Sequence, residues 1–343
     1  MKKHAILSLV LAVSLVPFAL FGQGKNESSA KVSNEITVYT YDSFTSEWGP
    51  GPIVVPAFEQ KTGIKVNLVS AGNGGELLQK VLLEKNNPKA DVVVGFPNDI
   101  LHEVLASDLF ISYRSAEMDK IPEFLHFDPS FTLLPFNYGN FAFVYDTQKI
   151  QDPPQSLEDL LDSKWKDKVI LMDPRTSSVG MGLLQWTIAI YGEDYLTWWE
   201  KIKPNTLTIA DGWSSGYGLF TQGEAPLVIS YTTSPVYHVM YEDTQRYQTA
   251  VFPQGHLAVI EGAGILKSST HPAQARLFID FLLSDAQETI ATTNIMYPVN
   301  SSTVLPDAFS AAPKPQVSLM LDANMIAKNR DKWLTEWVEV MSR

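Results

Sequence analysis

T-V-Y-T-Y-D-S-F-T-S-E-W-G-P-G-P, residues Thr37 to Pro52, begins as a strand and then breaks. Val38 and Tyr39 extend the β-prone pattern of Ile36, while Asp42, Ser43 and the Gly-Pro-Gly-Pro run end it in a turn that enters a helix near Ile53. Tyr41, Asp42 and Trp48 therefore stand at the C-terminal end of a strand. In open α/β sheets ligands bind beyond that edge, because loops diverge there and helix N-termini point into the crevice. Aromatic residues near loops are also common packing groups, so Tyr41 and Trp48 taken alone read equally as half-buried core.

Downstream, Ile53 to Lys61 is a helix with Ile53, Val54, Ala57 and Phe58 on one face, closed by Gly63. A strand at 64–69, the loop Gly72-Asn73-Gly74-Gly75, a helix at 76–85 and the apolar strand Ala90 to Phe96 follow. The order β-α-β-α-β means a parallel sheet and an α/β fold. The Gly72 to Gly75 loop is a weak phosphate-loop candidate, lacking the Lys-Ser/Thr ending. Two later segments, Leu133 to Asp146 and His256 to Leu266, are long and β-rich, with Pro or Gly inside them. They are expected to cross between two lobes near 138–140 and 263–265, the lobes being 34–137 with 262–302 and 138–261 with 303–343. Ligands of such hinged pairs are held by closure.

The N-terminus has the form of a secretory signal over residues 1–24. Lys2 and Lys3 precede the apolar run Ala5 to Phe21, broken only by Ser8, Ser14 and Pro17, and a small-residue stretch follows. Cleavage near Gly22 to Gly24 is expected, with Ala30 a second place. Removing Lys2 and Lys3 takes the net charge from -12 to -14, which disfavours nucleic acid and anionic lipid as partners. The chain has no cysteine, which excludes disulfides, thiolate catalysis and a lipid anchor at the cleavage site. An exported chain with neither anchor nor span points to a periplasm. The 343 − 24 = 319 remaining residues are more than one compact core usually holds.

Further along, Ser156 to Asp159 has capping-box form and opens a helix to about Leu161. Val169 to Met172 is a strand leading through Asp173 to Gly180 into a helix ending at Tyr191. Ser177 and Ser178 at that helix start are either an anion seat or ordinary caps. Thr206 to Ala210 is a strand that turns through Asp211 to Tyr217 into another helix, and the strand Pro226 to Ser230 runs into the aromatic loop Tyr231 to His238. Gly212-Trp213-Ser214-Ser215-Gly216 fits the G-x-S-x-G elbow of serine hydrolases, with Asp243 and His256 or His271 as loose triad partners, but no oxyanion segment precedes it. The six histidines, at 4, 102, 126, 238, 256 and 271, show no metal-ligand spacing. A ferric site on Tyr231 and Tyr237 is conceivable, although the adjacent tyrosine pair of ferric-binding lobed proteins is absent.

What recurs is aromatic residues at loops: Tyr41, Trp48, Trp213, Tyr231, Tyr237 and Tyr297. In order, T-V-Y-T-Y-D-S-F, W-G-P-G-P, F-A-F-V-Y-D, D-P-R-T-S, G-W-S-x-x-Y-G-L-F, S-Y-T-T-S-P-x-Y-H and M-Y-P-V run from Thr37 to Val299. With these motifs the chain, from Ile36 to the segment Trp333 to Arg343, resembles the periplasmic thiamine-binding proteins of ABC transporters.

The resemblance implies a two-lobed type II periplasmic binding-protein fold with a hinge of two crossing segments. It implies a monomeric solute-binding protein, not an enzyme, with no cofactor, that delivers thiamine and its phosphate esters to a membrane permease and its ATPase. Tyr41, Trp48, Trp213, Tyr231 and Tyr237 would line the cleft, with Ser177 near a phosphate; on charge logic, Asp42 would balance the cation. Thiamine suits such walls: its thiazolium charge and flat aminopyrimidine attract aromatic faces, each contact contributing about 0.5 to 2 kcal/mol. Three positions depart from the family pattern. Ile295 stands where Trp precedes Met-Tyr-Pro, Asn137 replaces the Asp of F-D-Y-G, and Pro97 replaces an Asp after the strand that begins at Ala90. These departures leave room for a pyrimidine precursor or another cationic heteroaromatic. The same fold also hosts a thiamine-degrading enzyme with a cysteine nucleophile, a chemistry that a cysteine-free chain lacks.

Overall fold

A computed structural model describes residues 34–343 of the chain; the expected signal segment lies outside the described residues. Its strands are β1 (Glu35–Thr40), β2 (Lys65–Ser70), β3 (Val92–Pro97), β4 (Phe110–Ile111), β5 (Leu134–Asp146), β6 (Val169–Met172), β7 (Thr206–Ala210), β8 (Leu227–Tyr231), β9 (Tyr247–Thr249), β10 (His256–Leu266), β11 (Tyr297–Pro298) and β12 (Ser318–Leu319). The helices are α1 (Asp42–Thr45), α2 (Gly51–Thr62), α3 (Leu77–Leu83), α4 (Leu101–Ser107), α5 (Ser178–Tyr191), α6 (Tyr195–Ile202), α7 (Trp213–Thr221), α8 (Pro235–Tyr241), α9 (Pro272–Leu282), α10 (Gln287–Asn294) and α11 (Ala323–Met341).

The main sheet runs β2-β1-β3-β10-β5-β8-β6-β7. Its two ends are parallel, β1 pairing with β2 and β3, and β6 with β7 and β8. Between them β10 and β5 pair antiparallel to each other and to their outer neighbours. The parallel ends follow from short apolar strands separated by helices, which pack back only as right-handed crossovers.

Three buried clusters account for most of the core. One joins Ile36, Val38, Phe58, Val92 and Phe278, and a second, on Tyr39, Leu77, Val93 and Phe96, uses the alternate residues of the same strands. The third and largest joins Phe143, Ile170, Leu184, Trp186, Trp199 and Trp337. β5 gives Leu134 and Phe136 to the first and Phe141 and Phe143 to the third. β10 gives Leu257 and Val259 to the third and Ile260, Ala263 and Ile265 to the first. The core therefore changes at 137–140 in β5 and between Val259 and Ile260 in β10, ahead of the expected stretch 263–265. Gly262 and Gly264 have a packing reason instead: an added Cβ would lie 2.7 Å from the Phe127 ring and 2.9 Å from the Leu133 side chain.

One bond of the Ser156 capping box forms, the return bond comes from Gln155 instead of Ser156, and the helix does not form. Asp159 N–H donates to Ser156 Oγ at 3.0 Å and Gln155 N–H to Asp159 Oδ2 at 2.9 Å. Only a 3-10 turn, Asp159–Leu161, results, because Asp162 is extended and caps the next turn.

One charge cluster ties separate elements together. Arg330 on α11 places Nε 3.7 Å from Asp99 Oδ2 and 3.9 Å from Glu103 Oε1, and Gln185 Nε2 donates to Asp99 Oδ2 at 3.0 Å. Burial raises both carboxyl pKa values, against the opposing pull of Arg330. No helix among the described residues is long and apolar enough to cross a membrane.

Candidate functional site

β1, β6, β7 and β8 all end at one crevice, and the loops that follow them line a cavity of about 280 Å³. Every residue singled out for the site lies on its wall: Tyr41 and Asp42 after β1, Trp48 after α1, Ser177 before α5, Trp213 opening α7, Tyr231 ending β8 and Tyr237 in α8. Tyr297 does not. It packs against Tyr138 at 5.4 Å and Phe309 at 6.0 Å, in a cluster outside the cavity.

The aromatic wall is held from behind. Trp213 stacks on Tyr217 at 4.9 Å with 17° between rings, and its Nε1–H donates to Ser230 Oγ at 2.8 Å, which fixes the indole plane. Trp48, 43% exposed, leans on Trp213 at 5.8 Å and forms the outer rim. Tyr231 stacks on Phe141 at 5.3 Å, and burial pushes its phenol pKa far up. Tyr217 and His238 share a hydrogen bond of 2.9 Å; burial lowers the imidazole pKa although Glu242 sits 2.6 Å from Nδ1.

Opposite lies a polar floor. Asn294 Nδ2 donates to the Tyr41 hydroxyl at 2.9 Å, Tyr41 donates to Glu261 Oε2 at 3.0 Å, and Asn137 Nδ2 donates to the same oxygen at 2.7 Å. Glu261 is 7% exposed, and desolvation pushes its pKa up to about 7 against these donors. Gly95 backs the Tyr41 ring with φ +111°, and a Cβ there would meet the ring at 2.3 Å, so only glycine lets Tyr41 lie down on the floor. Sequence reasoning missed Glu261 and Asn294. The available signal for the first was a lone charge inside the apolar run Leu257 to Leu266.

Ser214 donates to Asp42 Oδ2 at 2.8 Å. Its loose triad partner His256 is fully buried, with Nε2 accepting from Phe252 N–H and Nδ1–H donating to Phe141 O, so neither nitrogen is free for a serine. The elbow motif is thus a tie between α7 and the turn after β1. A phenolate-iron site would rest on Tyr231 and Tyr237, which both line the cavity, with no group of three His, Cys, Asp or Glu gathered beside them among the described residues.

Ser177 caps α5, accepting from Gly180 N–H at 3.3 Å, while still facing the cavity. Of the departures, Ile295 lines the wall in the left-handed region at φ 53°, Asn137 supports Glu261 from below, and Pro97 pairs with Glu261 across β3 and β10.

The Gly72 to Gly75 loop is no phosphate cradle. Gly75 N–H donates to Thr176 O at 3.1 Å and Asn73 Nδ2 to Asp211 O at 3.3 Å, so the loop joins the segments that precede α5 and α7. A Cβ on Gly75 would sit 2.4 Å from the Thr176 carbonyl oxygen. Gly75→Ala is therefore expected to part this seam and weaken solute binding about tenfold, an overpacking penalty of roughly 1 to 2 kcal/mol. The melting temperature of the free protein should change little. Calorimetry showing unaltered affinity would mean that the seam is not needed for capture.

A family model described as bacterial extracellular solute-binding protein matches residues 54–316. The thiamine-binding periplasmic protein of Brucella melitensis biotype 1 is 39% identical over 334 residues, 96% of this chain and 99% of that protein. That of Escherichia coli strain K12 is 43% identical over 310 residues, 90% of this chain and 94% of its own. A solved structure of a periplasmic thiamin binding protein superposes with a TM-score of 0.86 at 42% identity, covering 90% of this chain and 96% of its own. The fold is accordingly the α/β, type II periplasmic binding-protein fold, with β5 and β10 as the strands shared between its ends. On the matched span, and on identity sustained over nearly its whole length, the chain belongs to the bacterial extracellular solute-binding protein family.

Proposed function

We propose that this protein is a periplasmic binding protein that captures thiamine and its phosphate esters and delivers them to the permease and ATPase of an ABC importer. The observation that carries the reading is a cavity with aromatic walls and three acidic residues, Asp42, Glu242 and Glu261, with no lysine or arginine among its lining residues. Such a box attracts a flat permanent cation by stacking, cation-π and Coulombic contact together. Its volume lies near the lower end for ligand pockets, which suits a molecule of thiamine's size. Ser177, Ser178 and the amides opening α5 provide an anion seat for an esterified phosphate. The engagement of Ser214 by Asp42 supports binding without hydrolysis, and no cofactor is invoked. The protein works as a monomer with a signal that is removed, its two lobes closing on the solute.

Calorimetry with thiamine, thiamine monophosphate, thiamine diphosphate and the free aminopyrimidine tests this. The uncharged pyrimidine should bind more weakly by about 1 to 3 kcal/mol, a few cation-π contacts summed non-additively. Tyr237→Ala should weaken every thiazolium ligand, whereas Ser177→Ala should weaken only the esters. A folded protein that ignores thiamine at millimolar concentration overturns the assignment.

A further inference from the structure

Hydrogen-bond direction at the floor is dictated by chemistry. An ionised carboxylate only accepts, so the single Tyr41 proton goes to Glu261 Oε2, and Asn294 must then turn its Nδ2–H toward the Tyr41 oxygen. Asn137 spends its Nδ2–H on the same Glu261 oxygen. What these residues have left is uniform. Glu261 Oε1 and Asn294 Oδ1 receive no hydrogen bond from any described residue, and both side chains line the cavity.

We infer that Glu261 and Asn294 form a paired acceptor that takes the two hydrogens of an exocyclic amine on a heteroaromatic ring, and so set the solute specificity of the cleft. The inference rests on the thiamine reading above and assigns the end of the molecule that the floor recognises. A carbonyl at the same ring position would face two acceptors and leave them unpaired. Sites built to hydrogen-bond a donor reject analogues lacking it far more strongly than apolar pockets reject a changed methylene, because buried polar groups are then left without partners. The floor is preorganised to accept such a donor, since Asn137 and Tyr41 hold one oxygen of Glu261 and Gly95 holds the Tyr41 ring.

The test compares thiamine with its 4-oxo analogue, which keeps the thiazolium charge and the ring shape but presents a carbonyl where thiamine carries the amine. At pH 8 the native protein should prefer thiamine by about a hundredfold or more. Glu261→Gln, whose amide both donates and accepts, should cut that preference at least tenfold, mainly by weakening thiamine. Asn294→Ala, at a half-buried position, should reduce it in the same direction. Near-equal affinities for the two ligands, or a preference untouched by either substitution, would overturn the paired acceptor while leaving thiamine binding intact. If thiamine itself does not bind, the thiamine reading fails. Free 4-aminopyrimidine against 4-pyrimidone then tests the floor alone, and equal affinity there overturns it.

Discussion

Replacing Glu261 by glutamine is expected to stabilise the ligand-free protein at pH 8 by on the order of 3 kcal/mol and to change nothing at pH 4. The folded-state pKa of about 7 lies above the usual value of 4.5, so the native state binds a proton that the unfolded chain has released. Stability associated with this group is thus fully present below pH 4.5 and is lost as pH rises through 7. The groups around it are neutral: Tyr41 after β1, Asn137 in β5, Tyr231 in β8 and Asn294 ending α10. Asp42 and the His238–Glu242 pair share the cavity, and they bring no compensating positive charge while His238 stays neutral. Urea denaturation of both proteins at pH 4 and pH 8 measures the effect. Parallel losses of stability over that range would mean that Glu261 is better solvated than its burial implies. The same substitution weakens capture, so at this position stability and binding oppose each other.

Arg330→Met should destabilise the protein by about 1 to 3 kcal/mol at pH 8, the consequence of leaving two half-buried carboxylates without their cation. Asp99 and Glu103 would both face that loss, and Gln185 alone cannot neutralise them. Since burial already raises both pKa values, they escape by taking up protons, and the deficit should shrink at pH 5. Adding Asp99→Asn to Arg330→Met should restore most of the stability at pH 8. Guanidinium unfolding of the three variants checks this, and a double variant no better than the single one would show that Arg330 acts through its apolar stem.

The walls of the site were legible because they follow strand ends. Asp, Ser, Gly and Pro after Thr40, Met172, Ala210 and Tyr231 mark where strands stop, and the aromatics beyond those stops converge whatever the detailed packing. Strands Val169–Met172, Thr206–Ala210 and His256–Leu266 appear where apolar β-branched runs lie between turn signals. The floor was not legible. Glu261 and Asn294 come from the middle of a strand and the last turn of a helix, where pattern reading assigns packing, and only tertiary packing of β10 and the end of α10 against Tyr41 brings them to the cavity. Ser214 shows the reverse failure: a short catalytic pattern is made of the same small residues that let a helix start close to a neighbouring turn. The Ser156 box failed for a third reason, since one capping bond forms while Asp162 turns the chain away.

The seam between residues 73–75 and the segments at 176 and 211 would, on the proposed closure, also set a rate. It is made by Gly75 N–H donating to Thr176 O and the Asn73 side-chain amide donating to Asp211 O. On the proposed closure, a solute enclosed behind it would depart only when the seam parts. Its dissociation rate constant is then the opening frequency multiplied by the chance of escape per opening, and excess competitor in a chase cannot hasten it. Under that closure, delivery to a transporter would then depend on a docking partner that lengthens the open interval.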